Sequence, residues 1–255
     1  MTNDRFSWKR FGLFARAEMA GQGRKTLFKA IGFALTCAMV YSLWNIDAIF
    51  HTGHRIFAVN LAAARGIVFL CFAFIVSLNL SRSFKRYFSK GEAVASFMTP
   101  VARSEKFLYA ALKNMVVVPL GLLTIMWLND LFWTTMLGRD DFFGMLFDAI
   151  VKYMDIRLAL FLLFVLLKGF CVLAFFLAGA VLFRRHQYLG TLIAFFVLNI
   201  PFFVLVQIEP GALLQTELAM DSTLGLAILD LIVLGFGSLF LFLAWRRFST
   251  LPIPQ

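Results

Sequence analysis

Groups that do chemistry are scarce in this chain. It has three histidines, His51, His54 and His186, and three cysteines, Cys37, Cys71 and Cys171. The histidines lie in or near polar segments, so a membrane metalloprotease or a proton-relay enzyme lacks its ligands. The cysteines all fall inside apolar runs, where a structural disulfide is not expected and where the spacing fits no metal site; they read as packing residues. GQGRKT, residues 21–26, is superficially like a phosphate loop. It fails the G-x-x-x-x-G-K-[ST] spacing and precedes an apolar run instead of following a strand. GFGSLF around Ser238 is not G-x-S-x-G, and no histidine is placed to activate the serine. The expectation is a chain with no catalytic residue, no metal and no nucleotide site of its own, and hence not an enzyme by itself. No cleavable leader is expected either, because the first apolar run is too long for a signal-peptide core and no small-residue cleavage pattern follows it.

What is present is apolar surface. Hydrophobic residues make up 61% of the chain and the mean hydropathy is +0.84, against roughly 45–50% apolar usage in soluble domains. About 20 apolar residues cross a bilayer as a helix, and six runs have that length: residues 27–44, 57–80, 107–128, 156–183, 188–208 and 224–245. Membrane β-strands alternate apolar with polar residues; IRLALFLLFVLLKGFCVLAFFLAGAVLF is apolar on every side. The fold class is therefore an all-α integral membrane protein of six transmembrane helices. It divides into a leader at 1–25, a six-helix domain at 26–247 containing a polar loop at 81–106, and a tail at 248–255.

Acids are the minority charge, 14 against 24 Lys and Arg, and the two signs segregate. Basic residues gather before the first run, in 81–106, at Arg184 and Arg185, and at Arg246 and Arg247. Most acids, among them Asp130, fall in the intervening segments. Short basic loops stay on the cytoplasmic side, so both termini are expected there. The formal charge of +10 is thus a topology signal, and no nucleic-acid partner is expected. In the leader, Trp8, Phe11, Phe14, Ala15 and Met19 share one helical face and Arg5, Lys9 and Arg16 another. That pattern predicts an amphipathic interfacial helix in contact with membrane lipids. Residues 142–154 suggest a shorter one on the opposite side.

Charges inside spans are costly and mark function by default. Arg65, Lys168 and Asp230 are such charges. Their depths favour pairing of Arg65 with Asp230, with Lys168 directed to a polar cavity or a neighbouring subunit. Pro119, and Asn199 with Pro201, would each free a backbone carbonyl and kink their helices.

The loop that fixes orientation also carries the best candidate motif. In FMTPVARSEKFLYAALKN, Pro100 suits the first position of a helix and Thr99 can cap it, so a short helix is expected to lead into the third span. This segment resembles that of small six-span permease subunits of ATP-binding-cassette transporters of the type-2 exporter class, a group common in Bacteroidota. Those carry leucine-proline-alanine-serine, two variable residues and glutamate-lysine-phenylalanine after the second span. Pro100, Glu105, Lys106 and Phe107 match at that spacing, whereas Thr99, Val101 and Ala102 depart from it. AGAVLFRRHQYLGTL, residues 178–192, is similar to the turn between the fourth and fifth spans of that group.

The resemblance implies a permease in a bacterial inner membrane that dimerises with a second copy or a homologous permease. Each copy would rest on a separate ATPase subunit, and ATP and Mg would be bound by that ATPase dimer. It implies that the 81–106 loop couples the two subunits, with Pro100, Arg103, Glu105, Lys106 and Phe107 at its core and Arg103, Glu105 and Lys106 touching the ATPase. The segment 209–223 is short for the re-entrant hairpin of larger members. The competing expectation is a noncatalytic membrane scaffold that recruits another cytosolic protein. A lipid-modifying enzyme is disfavoured by the missing acid, histidine and metal constellations.

Overall fold

The structure is a computed structural model that describes residues 6–44, 56–88, 99, 101–136, 156–183, 186–208 and 223–250. These form helices throughout, with no strand among the described residues. In chain order they are α1 (Trp8–Trp44), α2 (Ile56–Ser81), the single turn α3 (Lys85–Phe88), α4 (Arg103–Leu112), a π-helical segment (Lys113–Val117), α5 (Val118–Met136), α6 (Ile156–Leu182), α7 (Gln187–Ile208) and α8 (Thr223–Ser249). Five of the continuous helices are long and apolar enough to cross a membrane, and a sixth, α7, has an apolar stretch over Gln187–Leu198. Leu35, Leu166 and Leu231 are 66%, 71% and 69% exposed. Exposure of that kind on every long helix suits hydrocarbon and not water, so the chain reads as a multi-pass membrane protein. The expected segments at 142–154 and 209–222 lie outside the described residues.

Two spans differ from expectation. The leader does not form a helix separate from the first span: α1 runs without a break through residues 25 and 26. Its 37 residues make a rod of about 54 Å at 1.5 Å per residue, longer than ~30 Å of hydrocarbon. No proline lies between Trp8 and Trp44, so nothing in the backbone forces a stop where the polarity changes. The third span continues past Leu128 to Met136, because Asn129 and Asp130 are followed by more apolar residues and no glycine or proline occurs before Gly138.

The chain divides into two compact units. In the unit comprising Ser7–Val76 and Leu112–Val151, α1 packs against α5. Phe33, Cys37 and Tyr41 form the buried face of α1; Leu61, Ala64 and Val68 form that of α2. Both sets follow the three-and-four spacing of a single helical stripe. Pro119 is accommodated by the π segment. In an unbroken α-helix its ring would meet the carbonyl of Met115, four residues earlier. Here the Val118 N–H donates to the Lys113 carbonyl, five residues back, and Pro119 falls in the first turn after the wide one. The expected disturbance at Pro119 thus takes the form of a π segment, a common way to break the α-helical ladder without ending the helix. By contrast, α7 is continuous through residues 199 and 201.

In the unit comprising Met1–Phe6, Ser77–Ala111 and Lys152–Gln255, α6 packs against both α7 and α8. Gly237 of α8 faces Phe170 and Cys171 of α6, and Phe240 meets Phe175 with ring centroids 5.2 Å apart. Positions rise together along both helices, so α6 and α8 are parallel. Between α6 and α7 the turn is held by small residues. A Cβ on Gly179 would collide with the Thr191 side chain, and one on Gly190 would lie 2.7 Å from the Phe183 ring. The Gln187 Nε2 donates to the Ala180 carbonyl at 3.1 Å, filling an acceptor left open at the end of α6. Membrane helices associate through such close approaches because lipid offers no hydrophobic gain.

Gly179→Val is therefore expected to destabilise the protein by about 1–3 kcal/mol through overpacking, read as a lowered melting temperature in detergent. Adding Thr191→Ser, which removes one of the clashing atoms, should restore part of the loss.

Candidate functional site

Buried charge in the membrane-crossing helices is concentrated around Asp130 in the first of these units. Asp130 is 3% exposed. The Arg65 Nε donates to its Oδ1 at 2.8 Å, and an Arg65 Nη donates to Oδ2 at 3.0 Å. The Tyr41 hydroxyl donates to Oδ1 at 2.8 Å. Three helices thus converge on one carboxylate: α1 supplies Tyr41, α2 supplies Arg65 and α5 supplies the acid. A two-pronged guanidinium contact fixes angle as well as distance, so it orients α2 against α5. The Tyr41 ring also stacks on Trp133 at 6.4 Å between centroids and 13° between planes, and the Thr134 hydroxyl donates to the Asp130 carbonyl at 2.8 Å.

The expected Arg65–Asp230 pair is not formed: Arg65 takes Asp130. The sequence reading assigned Asp130 to a loop beyond the third span, which removed it from the list of possible partners. The signal was the uninterrupted apolar run on both sides of it. Tyr41 carried no signal beyond its place on the buried stripe. Lys168 is exposed on α6, its Nζ 5.8 Å from the Phe164 ring centroid, and Asp230 is buried on α8.

A second polar rung joins α1 to the π segment. The Lys113 Nζ donates to the Gln22 Oε1, and the Gln22 Nε2 donates to Glu18 Oε2 at 2.6 Å. The Gln22 amide thus links a cation to an anion. Along each helix, 22 to 41 and 113 to 130, the two rungs are about 25–28 Å apart, close to the thickness of a hydrocarbon layer.

The motif at the end of the 81–106 loop packs inward. The helix starts at Arg103, three residues after Pro100, and the Glu105 and Lys106 N–H groups donate to the Ala102 carbonyl at 3.1 and 3.2 Å. Pro100 itself lies outside the described residues. The Thr99 carbonyl accepts from the Val101 N–H at 2.7 Å and from Lys106 Nζ at 3.3 Å. Glu105 is 0% and Lys106 2% exposed. Both side chains are thus buried within the chain itself.

Arg103 and Phe107 join the same segment to the end of α8. An Arg103 Nη donates to the Ser249 carbonyl at 2.5 Å, satisfying one of the acceptors that a helix leaves open at its C-terminus. Phe107 lies 5.4 Å from Trp245 and 5.8 Å from Phe248. Phe84 stacks on Phe107 at 5.7 Å and contacts Phe248 at 5.0 Å; Tyr87 meets Phe248 edge-on at 5.2 Å. Phe84 and Phe248 are 0% and 1% exposed, so Phe248 is the centre of an aromatic knot that ties both ends of the loop to α8. In comparisons with known proteins, no family model, no curated protein and no solved structure matches this chain.

Breaking the Arg65–Asp130 pair from one side is expected to cost about 3–5 kcal/mol, because a buried charge is left alone. Arg65→Leu and Asp130→Leu should each lower the melting temperature strongly, and the double variant should lose less than the sum. Additive losses would contradict the pairing. Phe248→Ala is expected to cost about 3–5 kcal/mol in the same measurement.

Proposed function

We propose that the chain is the permease subunit of an ATP-driven exporter in a bacterial inner membrane, with six spans and both termini in the cytoplasm. It would pair with a second permease copy and couple through the 81–106 loop to a separate ATPase subunit that carries ATP and Mg. The observation that carries this reading is the aromatic knot. The segments on either side of the loop, 84–87 and 103–107, are both packed on the last turn of α8.

A force applied to such a loop cannot be absorbed locally. Close-packed side chains transmit displacement because they have few voids to yield into. A push at the loop would therefore move α2, α4 and α8 at their shared end, which is what conversion of ATPase closure into movement of spans requires. The buried Glu105 and Lys106 set the start of α4, an acid in a first turn being favoured by the helix dipole. Contact with a partner falls instead to exposed basic residues at the loop's edge, Arg82 and Lys85, through charge complementarity with an acidic groove.

The test is co-purification with an ATP-binding-cassette ATPase subunit. A stoichiometric complex whose ATP hydrolysis depends on this chain is expected. Arg82→Glu with Lys85→Glu should reduce recovery of the ATPase by about tenfold, equivalent to ~1.4 kcal/mol, without changing the melting temperature of the free subunit. A stable complex with some other cytosolic protein, and none with a nucleotide-binding partner, would favour the scaffold reading.

A further inference from the structure

Two aspartates lie inside described membrane-crossing helices, and they are treated in opposite ways. Asp130 accepts three hydrogen bonds, two of them from a guanidinium. Asp230 is 6% exposed, and neither of its carboxylate oxygens has a hydrogen-bond partner. It stands seven residues into α8, roughly 10 Å from the start of that helix. The parallel register that sets Gly237 against Phe170 and Phe240 against Phe175 places Asp230 level with residues 163–165 of α6, Leu-Phe-Val. None of those side chains can donate a hydrogen bond. Lys168, the charged residue among the described side chains of α6, is on its exposed surface beside Phe164. The described stretch of α7 carries Tyr188, at the turn end, and no charge.

A bare carboxylate in such surroundings is strongly disfavoured, and backbone groups cannot relieve it because the helices use their own. Among the described residues, no side chain of α6 or α7 supplies the compensating charge. A single carboxylate offers two oxygens, whereas Ca2+ takes six to eight oxygen ligands, and the burial of Asp230 leaves no room for an organic cation. An alkali ion likewise needs an oxygen cage, and the described side chains level with Asp230 on α6 supply none. A proton needs no further ligand.

We propose that Asp230 is a proton-binding carboxyl, loaded from the aqueous phase within the α6–α8 helix pair. This inference does not depend on the export reading. It assigns to the chain an ion site that sequence motifs do not mark, since a lone Asp in an apolar helix has no spacing signature.

Dicyclohexylcarbodiimide, an apolar reagent for protonated carboxyls, tests it on the intact protein in detergent. The carboxyl proton passes to a carbodiimide nitrogen as the carboxylate oxygen bonds to the central carbon. Acyl transfer to nitrogen then leaves a stable N-acylurea that mass spectrometry locates. Asp230 is expected to be the labelled residue. Asp130, held by Arg65, serves as the internal comparison and should label far more slowly. Asp230→Asn should abolish the adduct while leaving the melting temperature close to that of the parent. The proposal is overturned if Asp230 stays unlabelled in the folded protein or if it labels no faster than Asp130. Protection by added Na+ at constant ionic strength would also overturn it, assigning the carboxylate to an alkali ion.

Discussion

Hydrocarbon cannot hydrogen-bond, so each polar group carried into it has to find its partner within the protein. This requirement governs the chain at every scale. It makes the described residues helical, since a helix satisfies its own backbone. It explains why Pro119 is met by a π segment in which Val118 reaches back to Lys113. It also explains why three helices meet at Asp130, where one acid collects a guanidinium and a phenol. The two polar rungs on α1 follow from it as well. Each places a charge where a counter-charge or an amide relay is within reach, and the stretch between them is left to apolar packing. Asp230 departs from the rule, and a departure from a rule this costly points to a role other than holding helices together.

The two units hold their helices by different means. Around Asp130 the contacts are directional, with a bidentate ion pair and stacked rings fixing angles between helices. Between α6, α7 and α8, close approaches of glycine and alanine accompany phenylalanine ring contacts, with Ala174, Ala180 and Ala244 all fully buried. Small residues permit nearness but resist sliding less than an ion pair does. The aromatic knot around Phe248 supplies the missing rigidity at one end of α8, where Arg103 also closes the helix terminus.

Much of this was legible in the sequence. Apolar run length gave α2, α6, α7 and α8 to within a few residues, because burial in hydrocarbon leaves a strong, continuous signal. Polar interruptions were harder to read. The expected third span stops at residue 128, ahead of Asn129 and Asp130, although neither of these residues breaks a helix. Which charge pairs with which is a tertiary property, and depth along separate helices does not determine it when a nearer acid is assigned to a loop. The inward burial of Glu105 and Lys106 was equally hidden. A charged pair in a polar loop looks like surface until the aromatic residues around it, Phe84, Tyr87, Phe107 and Phe248, are seen to close over the same segment.

The unbroken α1 has a mechanical consequence. A helix without a joint behaves as a lever, and Trp8 lies roughly 40 Å along it from the middle of its apolar part. A tilt of about ten degrees in the bilayer would swing that tip by about 7 Å. Small reorientations of the first span would thus be magnified into displacements large enough to be felt by anything bound near Trp8, whereas a hinge at residue 25 would have absorbed them.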